Sequence, residues 1–179
     1  MLISARASRF DESFSMEKKY ILDQQSVTTK LKRMAFEIYE SNHDETEMIL
    51  VGIRENGSVI AQYVQDLLNE ISTIKTELIH LSLDKRNPGE ITLSRQTDFN
   101  NKIVVVIDDV ANSGKTMLYA MKPLLEMHPR KIQTLALVER THKKFPINTD
   151  YVGISLATTL QDHIYVEVEN NIITGAWME

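Results

Sequence analysis

Cysteine is absent from the 179-residue chain, which excludes disulfides, thiolate nucleophiles and thiolate metal sites together. Proline and glycine are sparse, at 4 and 6, so few positions can break regular structure and each glycine is worth placing. No apolar run approaches the roughly 20 residues needed to cross a bilayer. His43, His80, His128, His142 and His163 never fall at H-x-x-H or H-E-x-x-H spacing, so no transition-metal site is expected. No Ser–His–Asp or Cys–His set supplies a covalent nucleophile. With a net charge of −5, the chain reads as a cytoplasmic protein with no membrane partner, long enough for one core and too short for two ordinary domains. Residues 1–15 lack the apolar centre of a signal peptide and read as a flexible extension, with Met16 the better start and 16–179 a single domain.

What is present is concentrated in one stretch, Lys102 to Thr116. Five β-branched residues, Ile103 to Ile107, form an apolar run without alternation, as suits a strand covered on both faces in a parallel sheet. The run leads into Asp108 and Asp109, a short loop with Gly114, and a helix-compatible segment. Ligands of such sheets bind beyond the carboxyl ends of the strands. There, backbone N–H groups of Ala111 to Lys115 would face a phosphate, with Gly114 permitting close approach. Adjacent carboxylates repel a phosphate but accept hydrogen bonds from a vicinal diol, so a phosphorylated sugar satisfies both halves. A plain strand-to-helix turn is the bland alternative. A Walker A loop shares the ending Gly114-Lys115-Thr116 but needs an upstream glycine that this chain lacks.

Periodicity predicts a helix over 23–41, a strand over 47–53, a helix over 57–71, a strand over 75–83, a long polar loop over 84–101, a strand over 102–107, a helix over 113–127 and a strand over 132–138. Such alternation argues for an α/β fold, a parallel sheet flanked by helices. Residues 151–177 mix short strands and turns, with alternation over 164–169 and a hairpin turn at Asn170-Asn171. The strand ending in Val51-Gly52-Ile53 runs into the polar loop Arg54-Glu55-Asn56-Gly57.

The stretch VVVIDDVANSGKT resembles the phosphoribosyl pyrophosphate (PRPP) motif of type I phosphoribosyltransferases. The resemblance implies that Asp108 and Asp109 bind the ribose hydroxyls, and that Ala111, Asn112, Ser113, Gly114, Lys115 and Thr116 hold the 5-phosphate. Arg54, Glu55, Asn56 and Gly57 resemble the family's pyrophosphate loop, a tight and often cis-bonded turn. Leu137-Val138-Glu139-Arg140, a basic stretch, Phe145-Pro146-Ile147 and Asp150-Tyr151-Val152-Gly153 are similar to the PyrR-like subgroup, pyrimidine regulators and uracil phosphoribosyltransferases. The likeness covers roughly Tyr20 to Val168. It implies the type I fold, with a small hood built from a loop and the C-terminal segments.

The same resemblance implies which base is used. Purine enzymes keep a lysine where this chain has Glu139, and an aspartate where it has Ala157-Thr158-Thr159, so uracil is expected, with Arg140, Tyr151 and Val152 bordering the base. Lys85 or Arg86, in the segment Ile79 to Arg86, would help cover pyrophosphate. Asn112 stands where purine enzymes keep a base-activating aspartate, and an amide takes no proton at neutral pH. Mg²⁺ is the implied cofactor, arriving with PRPP, and a homodimer or homotetramer the implied assembly. Two other functions stay open: an RNA-binding regulator using His142, Lys143 and Lys144, to which the net charge lends nothing, and a sensor that binds PRPP or nucleotide without turnover.

Overall fold

The computed structural model describes residues 18–84, 87–158 and 162–179. The expected extension over 1–15 lies outside them. The elements are β1 (Lys19–Asp23), α1 (Gln24–Asn42), β2 (Glu47–Ile53), α2 (Asn56–Ile71), β3 (Lys75–Leu83), β4 (Ile91–Leu93), β5 (Ile103–Ala111), α3 (Lys115–Ala120), α4 (Lys122–Leu125), β6 (Lys131–Arg140), β7 (Tyr151–Leu156), β8 (Ile164–Glu169) and β9 (Ile172–Met178). A six-stranded sheet has the order β4-β3-β2-β5-β6-β7, and a three-stranded sheet the order β1-β9-β8. All pairs of the larger sheet are parallel except β3–β4.

Burial on both faces explains the unbroken apolar run of β5. Val105 and Ile107 pack on one side with Leu31, Met34 and Ile38 of α1 and Ile60, Val64 and Leu68 of α2. Val104 and Val106 face the other side, with Met117, Ala120, Met121 and Leu124 of the segment after β5. Helix α1 begins where expected because the side chain of Asp23 accepts the Ser26 N–H at 2.7 Å, satisfying one orphan donor of the first turn.

Four details depart from the sequence reading. Strand β5 continues past the acids to Ala111, paired there with Glu139 of β6. The single helix expected over 113–127 starts late, after Gly114 in the left-handed region, and breaks at Met121, because Pro123 lacks an N–H and its ring crowds the preceding turn. The loop over 84–101 contains β4, which pairs with β3 in the main sheet, so the loop is not the part that forms the small sheet. That sheet joins the N-terminal β1 to the hairpin β8–β9, while β7 completes the main sheet beside β6. The hairpin turn is as expected: Glu169 pairs with Ile172, and Asn170 and Asn171 take φ of 50° and 62°, the left-handed backbone of a two-residue turn.

The strand order places the site. Strand β2 connects through α2 to β3 on one side, and β5 connects through α3 and α4 to β6 on the other, so the connections diverge between β2 and β5. A crevice opens at the carboxyl ends of strands flanking such a switch point.

Candidate functional site

Asp108 and Asp109 lie in that crevice, only 2% and 8% exposed. Their carboxylates are anchored by short local bonds: Asp108 Oδ1 accepts the Asp109 N–H at 3.0 Å, and Asp109 Oδ1 accepts the Val110 N–H at 2.9 Å. Across the crevice, the first residue of α2 supplies a further donor, since Asn56 Nδ2 donates to Asp109 Oδ2 at 2.9 Å. The same amide nitrogen donates to the carbonyl of Val166 in β8 at 3.0 Å. Gly57 permits this approach, because a Cβ there would lie 2.7 Å from the carbonyl oxygen of Ile107 and 3.1 Å from Cα of Asp108.

Two cavities meet at this point. One, of about 390 Å³, is lined by Asn56, the whole segment Asp108 to Met117, and Ile164, Tyr165 and Val166 of the small sheet. The other, of about 330 Å³, is lined by Arg54, Glu55, Asn56, Leu83 and Asp109. Asn56 and Asp109 belong to both. The peptide between Arg54 and Glu55 is cis. Each cavity is of the size that small-molecule sites occupy.

The loop after β5 is held from outside. Ser113 O accepts the N–H groups of Lys144 and Phe145 at 3.0 and 3.1 Å, and a Cβ on Gly114, whose φ is 80°, would lie 2.5 Å from Cγ2 of Ile147. The segment after β6 therefore braces this loop, a contact the sequence signals only through the apolar Phe145-Pro146-Ile147 inside a basic run. Asn112 is exposed, and its N–H bonds to Val110 O at 3.0 Å. That N–H is thus committed within the loop, while Asn112 lines the cavity.

The three residues expected at the base separate. Arg140 ends β6 and donates through its guanidinium to the carbonyl of Asp162, just before the cavity-lining Ile164. Tyr151 does not reach the crevice. It opens β7 beside Leu135, lies buried in the core against α1, and its hydroxyl accepts from Gln133 Nε2 at 2.5 Å. Val152 also falls short, its carbonyl accepting from Arg33 of α1 at 2.7 Å. The physical reason is strand length: β7 runs on to Leu156, so its first residues lie deep along the sheet while the crevice is at its far end. Tyr165, half-exposed on β8, lines the cavity and was not singled out by the sequence. Lys85, Arg86 and Thr159 lie outside the described residues.

Glu139, at the level of Ala111, is spoken for. It is ion-paired with Lys143 and accepts from the Ser155 hydroxyl at 3.2 Å. Burial raises the Glu139 carboxyl, but the hydrogen bonds from Lys143, Thr149 and Ser155 outweigh it and hold the group below its ordinary value of 4.5. Among the described residues, no group of three or more His, Cys, Asp or Glu side chains gathers to form a metal cage, and no helix is long and apolar enough to cross a membrane.

Comparison with known proteins adds a second line. The family model of the phosphoribosyl transferase domain matches residues 18–169. Among curated proteins, the chain is 30% identical over 163 residues to a protein named bifunctional protein PyrR from Macrococcus caseolyticus, covering 86% of this chain and 94% of that one. It is 33% identical over 165 residues to a protein of the same name from Caldicellulosiruptor bescii, covering 86% and 91%. Among solved structures, the hypoxanthine phosphoribosyltransferase of Trypanosoma cruzi superposes with a TM-score of 0.75 at 11% identity, covering 89% of this chain and 95% of that one. A hypoxanthine-guanine phosphoribosyltransferase of Bacillus anthracis superposes with a TM-score of 0.71 at 17% identity, covering 89% and 95%. At such identities the structural likeness speaks for the fold alone.

Proposed function

The chain belongs to the phosphoribosyltransferase family, and from that premise we propose that it transfers the phosphoribosyl group of PRPP to uracil, releasing UMP and pyrophosphate. The observation that carries this reading is the pair of cavities flanking Asp108 and Asp109. PRPP has a phosphate at one end, a ribose diol in the middle and a pyrophosphate at the other. The loop from Ala111 to Thr116 suits the 5-phosphate, the two carboxylates suit the diol, and Arg54 with the backbone of Glu55 to Gly57 suits the pyrophosphate.

In this reading the C1–oxygen bond to pyrophosphate breaks, a C1–nitrogen bond to the base forms, and the proton of that nitrogen passes to solvent. Lys115 and the loop amides hold the phosphate, while buried carboxylates fix the ribose, so that C1 meets the base at a defined distance. Mg²⁺ fits the donors available: it keeps most of its waters and is bound through one or two carboxylates with substrate phosphates, not through an all-protein cage. Asp108 and Asp109 would supply the hard oxygens, and the ion, when bound, would offset charge developing on the leaving pyrophosphate.

One feature supports a pyrimidine. The resemblance to purine enzymes calls for an ammonium at the position of Glu139, and here a carboxylate stands there, already paired with Lys143. Arg140 is bonded to the carbonyl of Asp162, two residues before the cavity-lining Ile164. Of the basic cluster His142, Lys143 and Lys144, Lys143 is committed to Glu139, which lowers the positive charge that cluster offers an RNA.

The test is pyrophosphate release from PRPP and Mg²⁺ with uracil, hypoxanthine, guanine, adenine and orotate offered singly. Turnover with uracil alone is expected. Turnover with a purine overturns the choice of base. If no base reacts while PRPP or UMP still raises the melting temperature, the site binds without catalysing and the sensor reading replaces this one.

A further inference from the structure

Asn56, in the turn after β2, touches both the acid pair and the small sheet. Its Nδ2 carries two protons, and both are used: one goes to Asp109 Oδ2 at 2.9 Å, the other to Val166 O at 3.0 Å. With the Val110 N–H on Oδ1, both oxygens of Asp109 are held by protein donors, and the carboxylate plane is thereby fixed. Val166 sits in the middle of β8, between Tyr165 and Glu167, and is itself nearly buried. Its neighbours Ile164 and Tyr165 line the same cavity as Asp109. One amide nitrogen therefore bonds both to an acid of the main sheet and to a strand of the small sheet, beside the core packing of Val166, Ile173 and Ala176.

We propose that Asn56 is a positioning residue, a strut that orients Asp109 for the ribose and holds β8 at the height at which it walls the cavity. The proposal rests on the phosphoribosyltransferase reading of the site. It differs from the role given to the turn as a whole, in which backbone groups of Arg54 to Gly57 face pyrophosphate. Here the side chain works between protein groups, and its effect on the ligand passes through Asp109 and β8.

The chemistry of replacement separates a strut from a space-filler. Asp has the shape of Asn but no donor at neutral pH, so Asn56→Asp sets a carboxylate against Asp109 and against a carbonyl oxygen. Asn56→Ala only removes the two bonds. An acid at the first position of a helix is in itself favourable, so any extra loss in the Asp variant is attributable to the acceptors it faces. A residue that merely fills space predicts the opposite order, with the isosteric Asp closer to the original.

Three measurements suffice, all on the full chain. Melting temperature without ligand should fall in Asn56→Ala and fall further in Asn56→Asp. Calorimetric titration with PRPP and Mg²⁺ should show affinity reduced about tenfold in Asn56→Ala, the change of one lost charge-assisted bond. Fluorescence of Trp177, the single tryptophan of the chain and a residue of β9, should shift in the unliganded Ala variant as the small sheet relaxes. Asp melting no lower than Ala, or Ala binding PRPP as the original does, overturns the strut. Failure of the original protein to bind PRPP instead overturns the function on which this proposal rests, and is read from the same titration before any variant is compared.

Discussion

Gly57 shows how narrowly single residues define this crevice. A methyl group there would meet the Ile107 carbonyl at 2.7 Å, well inside contact distance, and neither backbone can retreat without moving α2 or β5. Gly57→Ala should therefore cost about 1–3 kcal/mol, as overpacking does, and lower the melting temperature by several degrees in a chain of this size. Because the displaced residues are Asn56 and Asp108, PRPP affinity should fall as well. A variant with original melting temperature and affinity contradicts the close approach. The acids and the glycines were legible in the sequence because their chemistry is local: two adjacent carboxylates after an apolar run and a glycine in the turn. Tyr151 misled for the opposite reason. Motif spacing counts residues along a strand but not how far the strand extends, and four further register pairs beyond Tyr151 carry β7 to the crevice. Tyr165 and the strut at Asn56 depend on contacts between residues 110 positions apart, which no local pattern encodes.

At the scale of elements, the end of β6 and the segment after it behave as one piece. Glu139 is tied to Lys143, and the backbone of Lys144 and Phe145 is tied to Ser113, so an ion pair on one side steadies the loop on the other. The carboxyl of Glu139 is held below its ordinary 4.5 in the folded protein. A group whose folded value is depressed stabilises the fold above the unfolded value and loses that contribution as pH falls through the folded one. Glu139→Gln should therefore melt below the original protein at pH 7, and the gap should close as pH drops below about 4.5. A gap independent of pH refutes the pairing. Most element types were readable from periodicity, since β2, β5 and β6 carry apolar runs, β3 mixes apolar with polar positions, and α1 and α2 have clear apolar faces. The break between α3 and α4 has its sequence signal in Pro123. The short β4 was not, since three residues carry no period and gain their strand geometry from pairing with β3.

For the whole molecule, the arrangement follows from strand order. Connections leave β2 and β5 in opposite directions, which opens the crevice, and the first and last described strands meet in a small sheet over it. That meeting was the least legible part: β1 pairs with β9 across nearly the entire sequence, a long-range choice set by tertiary packing. The central claim is that Asp108 and Asp109 hold PRPP at this crevice. Titration of PRPP and Mg²⁺ into the original protein and into Asp108→Asn with Asp109→Asn tests it most directly. Charge alone argues that removing two negative groups tightens the binding of so anionic a ligand. The account predicts the reverse, a loss on the order of a hundredfold or more with the melting temperature of the unliganded protein little changed. Equal or tighter binding by the double variant would contradict it.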